Sequence, residues 1–309
     1  MANVRRFLRY DVKLPIYVEL SDEQGRPLGW DEQTFWPQTD RYHLEGINEA
    51  LKSALDELGK SNGQLMYMLH QFDMRLNFLA WLLAHLVENQ DPRDDSGFDF
   101  RVREDSKIEP PELPTKANKI GALLHAMFMH IDLTIKEVIA VVRRSHDRLF
   151  VFPLNSVEPF DHNQYVRNLE KVAEQGSAVA QVLLLLEDKL NVLLKVLARL
   201  KSFYRLRAAV DDWPVEVVNL SAGGVGLWRS ASLPMFQPVN VFLNLHDGVF
   251  VAHGKVVFCR QLGKADKSWR IGIDFEWLPA EEQQRVTLFV QWHELTDTMR
   301  QFPRFPGMK

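Results

Sequence analysis

The sequence predicts an α+β protein in which a small antiparallel β-barrel is interrupted by a long helical insertion. Apolar residues alternate with a period of two near both ends of the 309-residue chain, and between these regions they recur every three or four residues. An isolated hairpin is only marginally stable in water. We therefore expect the two β regions to complete one barrel, which requires the ends of the insertion to lie close together.

The first β region is residues 1–40. Its strand is predicted over residues 10–20, where odd positions carry several charges and every even position is apolar: Tyr10, Val12, Leu14, Ile16, Val18 and Leu20. The stretch SDEQGRPLG then supplies turn residues. Residues 1–40 are assigned to the first strand or strands of the barrel, preceded by an arginine-rich arm.

The helical insertion is predicted over residues 41–207. Helical runs are expected at about 41–90, with a candidate break at GKSNG, and at about 116–147. The charged stretch between them, which contains proline, is expected to be a linker or a short excursion. A third helical run follows at 162–207.

The third run carries a heptad pattern. Its two apolar rows are Leu169, Gly176, Leu183, Leu190, Leu197 and Tyr204, and Val172, Val179, Leu186, Leu193 and Leu200. If unbroken, this helix would be about 69 Å long. Further apolar residues widen the stripe, so the helix needs cover on several sides, from an antiparallel bundle within the chain or from other subunits. The heptad favours some self-association, and we expect a homo-oligomer.

The second β region is residues 208–309. Period-two alternation returns after Arg207 in several short segments, which suggests a small barrel or sandwich. The stretch LPAEEQQRVTLFVQWHELTD is then expected to close the domain as an amphipathic helix.

Composition excludes several classes of function. A net charge of -4 gives no bulk field for nucleic acid or anionic membranes, and a single cysteine fits a reducing compartment. Glu187, Asp188 and Lys189 interrupt the most apolar run, which argues against membrane insertion. No secretory signal is recognisable at the N-terminus. We therefore predict a cytoplasmic protein.

Catalytic and metal sites are not expected. His125 and His130 are five residues apart, which misses the helical i, i+4 spacing, and GGVG lacks the Lys and Ser/Thr of a phosphate-binding loop. No nucleophile or paired-acid constellation is recognisable. We predict that the protein is not an enzyme and has no metal or cofactor.

Two short stretches predict a binding site. The stretch EVVNLSAGGVGLW at 216–228 contains Asn219, which tolerates left-handed backbone, the hydroxyl of Ser221, and glycines that let a ligand or another strand approach. Arg5 and Arg9 are four residues apart in RRFLR, and their planar guanidinium groups can bind phosphate or the edge of guanine. Together the stretches indicate a pocket for an anionic purine nucleotide.

These residues resemble the paired signature of PilZ domains, bacterial receptors for cyclic di-GMP. The similarity rests on RxxxR at Arg5 and Arg9, on NxSxxG at Asn219, Ser221 and Gly224, and on the ending WRIGIDFEW. It covers residues 1–40 and 208–309 and implies a six-stranded antiparallel barrel. The insertion resembles that of an atypical, helix-extended subgroup that forms oligomers.

The resemblance also implies a site. Arg5 and Arg9 would clamp guanine and phosphate, with a contact from Arg6. Asn219 and Ser221 would form hydrogen bonds with cyclic di-GMP, and Gly224 would keep the turn open.

The implied function is a cyclic di-GMP receptor that acts on motility, biofilm or polysaccharide output through an unknown protein partner. Two alternatives stay open: an oligomeric scaffold that binds no nucleotide, and a weaker KxxxR motif at Lys201 and Arg205. A loose basic N-terminus and a purely structural hairpin corner are the simpler interpretations of the two stretches.

Overall fold

The fold is taken from a computed structural model, which describes residues 7–58, 63–111, 119–145, 148–160, 163–261, 268–276 and 278–301. The chain divides into two compact units. The barrel unit comprises Met1–Trp30, His146–Leu149 and Leu206–Lys309, and the helical unit comprises Asp31–Ser145 and Phe150–Arg205.

The barrel unit is a closed six-stranded antiparallel β-barrel, which confirms the predicted fold class. Its strands follow the period-two segments of the sequence. They are β1 (Tyr10–Leu20), β2 (Val215–Ser221), β3 (Gly224–Arg229), β4 (Pro238–Leu245), β5 (Gly248–Gln261) and β6 (Trp269–Phe275). Around the barrel the order is β1-β2-β3-β6-β5-β4.

Strand β1 closes the barrel by pairing on both sides. Its first half, Tyr10 to Pro15, pairs with β2, and its second half, Ile16 to Leu20, pairs with β4. Its even-numbered apolar residues point into the core, as the alternation predicted. A short helix, α8 (Arg205–Ala208), precedes β2, and α9 (Ala280–Gln301) follows β6 and adds Val286, Phe289 and Val290 to the barrel core.

The helical unit contains the predicted runs and two short helices besides them, Glu32–Phe35 and Phe98–Asp105. Its helices are α1 (Glu32–Phe35), α2 (Gln38–Leu58), α3 (Gly63–Val87), α4 (Phe98–Asp105), α5 (Lys119–Arg144), α6 (Asn163–Glu174) and α7 (Ala178–Phe203). Helix α4 lies in the stretch expected to be a linker or short excursion. The candidate break at GKSNG falls between α2 and α3, and residues 59–62 of it lie outside the described residues.

Helix α7 lies at the centre of this unit and packs against α1, α2, α3 and α6. Its buried side chains extend around more than one face and include Leu183, Leu186, Val192 and Val196. The wide apolar stripe is therefore covered by a bundle formed within one chain. Self-association through the heptad rows stays a prediction.

The continuous helix considered for residues 162–207 is not formed. Helix α6 ends at Glu174, and Gly176 takes a left-handed backbone with φ 88°. The hydroxyl of Ser177 then accepts a hydrogen bond from the Ala180 amide and caps the start of α7. Glycine stops the helix because it adopts this conformation without a steric cost.

Helix α7 also buries a charge that the heptad pattern did not reveal. Lys189 is fully buried, and its Nζ donates hydrogen bonds to Asp73 Oδ1 at 2.6 Å and Asn77 Oδ1 at 2.7 Å. Burial lowers the pKa of Lys189, and the Asp73 carboxylate opposes this shift. In the described part of the chain, no helix combines the length and apolarity needed to cross a bilayer.

Candidate functional site

Strand pairing brings the two predicted binding stretches to the same end of the barrel. Tyr10 pairs with Leu220 and Asp11 pairs with Asn219 where the start of β1 meets the end of β2. Continuing this antiparallel register by one residue places Arg9 opposite Ser221. Residues separated by about 200 positions in the sequence therefore become neighbours.

The described part of the arginine arm lies over the corner between β2 and β3. A Cβ atom added at Gly223 would lie 2.8 Å from Cδ2 of Phe7, so the ring rests directly on the glycine. Arg9 follows two residues later and is exposed to solvent. The corner glycine thus makes room for the arm that carries Arg9. Arg5 and Arg6 lie outside the described residues.

Asn219 lies within β2, and its side chain is engaged by an acid. Its Nδ2 donates a hydrogen bond to Asp11 Oδ1 at 2.7 Å. Asn219 does not use its tolerance for a left-handed backbone, because the described non-glycine residues with positive φ are Asn89, Arg148 and Phe236. Strand β2 continues through Asn219 to Ser221, so the corner lies at Ala222 and Gly223.

Ser221 and Gly224 form the base of the corner. Ser221 is 1% exposed, and its Oγ donates a hydrogen bond to the Gly224 carbonyl oxygen at 3.2 Å. A Cβ atom at Gly224 would lie 2.3 Å from the Ile273 carbonyl oxygen on β6. A bare backbone is needed here because strands β3 and β6 approach closely.

Sequence reasoning missed Asp11 as a member of this site. Asp11 is one of the charged odd positions of β1, and it lies two residues after Arg9. Its carboxylate accepts a hydrogen bond from the Asn219 amide, so it adds a negative charge at the end of the barrel that carries Arg9. The signal was available in the alternation of β1, but its partner depends on the strand register.

A second polar cluster lies at the far end of β1. Arg207 is 1% exposed, and its Nη2 donates to Glu19 Oε1 at 2.6 Å. Asn240 Nδ2 donates to the same oxygen at 2.8 Å, and Asn240 Oδ1 lies 3.0 Å from Nδ1 of His253. Burial and the charge of Glu19 raise the pKa of Tyr17 to about 12. This cluster stabilises the barrel end opposite to Arg9.

The alternative KxxxR motif begins with a lysine that is already engaged. Lys201 is 8% exposed, and its Nζ donates to Glu137 Oε1 at 2.8 Å and Asn155 Oδ1 at 2.9 Å. These contacts lie inside the helical unit. Lys201 is therefore a buried ion-pair partner within the bundle.

The residues that the structure describes contain no obvious metal-binding site. No group of three or more His, Cys, Asp or Glu side chains is arranged there to hold an ion. The polar side chains at the β2–β3 corner are instead the Asn219 amide, the Ser221 hydroxyl, the Arg9 guanidinium and a single carboxylate, Asp11. Such groups suit hydrogen bonding to a ligand with phosphate and purine edges.

Comparison with known proteins identifies one domain. Residues 196–292 match the family model of the PilZ domain. The match spans β2 to β6 and most of α9, and it includes the NxSxxG residues, whereas β1 and the arginine arm precede it. No curated protein and no solved structure matches the chain significantly.

Proposed function

Because residues 196–292 carry a PilZ domain, we propose that the protein is a cytoplasmic receptor for cyclic di-GMP. The observation that carries the proposal is the β1–β2 register, which pairs Asp11 with Asn219 and so brings Arg9 to the NxSxxG corner. The nucleotide binds at this corner, on the outside of the barrel.

Each proposed ligand-binding residue has a distinct physical role. The guanidinium groups of Arg5, Arg6 and Arg9 bind phosphate oxygens and the edge of guanine through paired, charge-assisted hydrogen bonds. Asn219 supplies an amide and Ser221 supplies polar atoms at the corner. Asn219 exchanges its hydrogen bond with Asp11 for one with the ligand. Gly224 keeps the corner free of a side chain.

Ligand binding changes the surface around the corner. We propose that a helical insertion at 41–207, placed between barrel segments 1–40 and 208–309, reports this change within a homo-oligomer. A protein partner then acts on motility, biofilm or polysaccharide output. The support for oligomers is the heptad pattern of residues 169–204.

Titration calorimetry with cyclic di-GMP tests the proposal. Arg9→Ala and the double variant Arg5→Ala/Arg9→Ala are expected to weaken binding strongly, because a phosphate or base edge then loses its charged partner. Arg26→Ala is the matched control, since Arg26 is a partly buried arginine in the turn beyond the other end of β1. Unchanged affinity in Arg9→Ala would exclude this site.

The second candidate is an oligomeric PilZ-like scaffold that binds no nucleotide. It is favoured by the hydrogen bonds from Asn219 to Asp11 and from Ser221 to Gly224, because these two side chains then have hydrogen-bond partners without a ligand. Wild-type protein that is folded by circular dichroism but gives no heat with cyclic di-GMP would support it. Light scattering tests the assembly, and a strict monomer at micromolar concentration would contradict the oligomer in both candidates.

A further inference from the structure

Two rows of residues cross the outside of the barrel next to Asn219. Strand pairing aligns Asp11, Asn219, Gly226, Gly272 and Phe258 in the first row. The second row consists, in order, of Lys13, Val217, Trp228, Arg270 and Arg260. Lys13 pairs with Val217, and Arg270 pairs with Trp228 on one side and with Arg260 on the other. Val217 and Trp228 become neighbours when the β2–β3 register is continued by two residues. We call this surface the outer face.

The first row contains a strip without side chains. Gly226 and Gly272 are paired, and they lie between Asn219 on one side and Phe258 on the other. A Cβ atom at Gly226 would lie 3.4 Å from the Asn219 Cβ, and one at Gly272 would lie 3.2 Å from the Phe258 Cβ. The two glycines therefore leave a flat floor between a hydrogen-bonding residue and an aromatic residue.

The second row places an exposed tryptophan beside an arginine. Trp228 is 43% exposed, and the guanidinium carbon of Arg270 lies 5.8 Å from the centre of its ring. Arg270 is also exposed. An accessible indole next to a guanidinium is the combination that binds nucleobases, because the ring stacks on the base and the cation attracts nearby phosphate.

The charges of the outer face favour an anion. Lys13, Arg260 and Arg270 are exposed, and within the described parts of the chain none of them forms an ion pair. Asp11 is the one acidic residue of the two rows, and it is occupied by Asn219. Cations surrounding an apolar ring and a glycine floor complement a phosphorylated, planar molecule.

The outer face is continuous with the proposed nucleotide site. Asn219 belongs to the first row, and Trp228 lies one strand away and two residues further along, which puts their backbones about 8 Å apart. We propose that one purine base of the bound cyclic dinucleotide stacks on Trp228 beside Arg270, while Arg9 and Asn219 bind the other part of the molecule. This inference rests on the proposed function and adds a second contact region to it.

Calorimetry on full-length variants with cyclic di-GMP tests the inference. Trp228→Ala is expected to weaken binding roughly 5- to 150-fold, the range measured for the loss of one base–aromatic stack. Trp228→Phe keeps an aromatic ring and is expected to stay within about threefold of wild type. Trp292→Ala, which removes a tryptophan of 51% exposure on α9, is the matched control and should bind like wild type.

Tryptophan fluorescence supplies a readout that a purely structural role would not change. If a base stacks on Trp228, ligand quenches part of the emission of the wild type and less of the emission of Trp228→Phe, although both bind. Equal quenching in the two proteins, or Trp228→Ala affinity within twofold of wild type, overturns the inference.

The outcomes separate this inference from the proposed function. Binding that is lost in Arg9→Ala but retained in Trp228→Ala overturns the stacking contact and leaves the receptor intact. Absence of binding in folded wild-type protein overturns both. Weakening in Arg9→Ala and Trp228→Ala, with retention in Trp228→Phe and Trp292→Ala, supports both.

Discussion

Two glycines of the same strand are expected to respond in opposite ways to one added methyl group. At position 224 the new Cβ would lie 2.3 Å from the Ile273 carbonyl oxygen and 3.2 Å from the Asp274 Cα. Both atoms belong to the backbone of β6 and cannot rotate away. At position 226 the nearest atoms are the Asn219 Cβ at 3.4 Å and its carbonyl oxygen at 3.8 Å, which is ordinary contact.

The size of the effect follows from the displacement that is required. Gly224→Ala has to move β3 and β6 apart by about 1 Å, and inserting an atom into a packed region costs about 1–3 kcal/mol. Replacing glycine by alanine also stabilises the folded state by about 0.4–1 kcal/mol, because it reduces the conformational entropy of the unfolded chain. A net loss of about 1–2 kcal/mol would lower the melting temperature of the barrel by roughly 3–10 °C. Gly226→Ala is expected to change stability by less than about 1 kcal/mol.

Hydrogen exchange read by mass spectrometry is the best assay, because it reports peptides of β3 and β6 separately from the helical unit. Faster exchange of both strands is expected in Gly224→Ala, together with a lower melting temperature. Gly226→Ala should exchange like wild type. Equal protection in the two variants, or greater loss in Gly226→Ala, would refute the close-approach explanation of Gly224.

Three further predictions follow from charged and titratable groups. Asp11→Asn is expected to tighten cyclic di-GMP binding roughly two- to fivefold, because it removes a carboxylate beside the Asn219 amide; calorimetry that gives equal or weaker binding would contradict this. Burial, and next the charge of His246, lower the pKa of His293 from its usual 6.5, so the unfolded chain binds the proton more readily and stability falls as the pH drops below about 6.5. Melting curves from pH 8 to 5 should show this loss, and it should be smaller in His293→Phe. Arg207→Leu is expected to cost about 3–5 kcal/mol in urea denaturation because it deprives Glu19 of its buried cation, and adding Glu19→Gln should restore part of that loss.

The barrel was predictable because its strands carry a local signal. Period-two alternation identifies which side of a strand is buried, and this pattern placed β1 correctly from Tyr10 to Leu20. The interruption of the third helical run was not predicted, because Gly176 occupies a heptad position and does not break the apolar rows. Its left-handed backbone appears only where the chain turns between α6 and α7.

The side-chain contacts within the site were harder to predict from the sequence. Asn219 and Arg9 were selected by residue type, but the contact between Asp11 and Asn219 depends on the register of two strands about 200 residues apart. The same holds for Trp228 and Arg270, which meet across β3 and β6. The buried state of Lys189 was also invisible, because a lysine between two apolar rows looks like a solvent-facing charge until its bundle partners are known.

The double pairing of β1 has a consequence for biosynthesis. At typical elongation rates of 5–20 residues per second, β1 leaves the ribosome roughly 10–40 s before β2 exists. The hydrogen bonds from Arg199 to Phe35 and Asp40 join the two ends of the helical unit. Folding of that unit first would therefore shorten the loop that β1 must close, which lowers the entropic cost by roughly 2 kcal/mol. The folded insertion would thus help the barrel to assemble. Until the insertion and the strands after it have been synthesised, β1 has no strand to pair with.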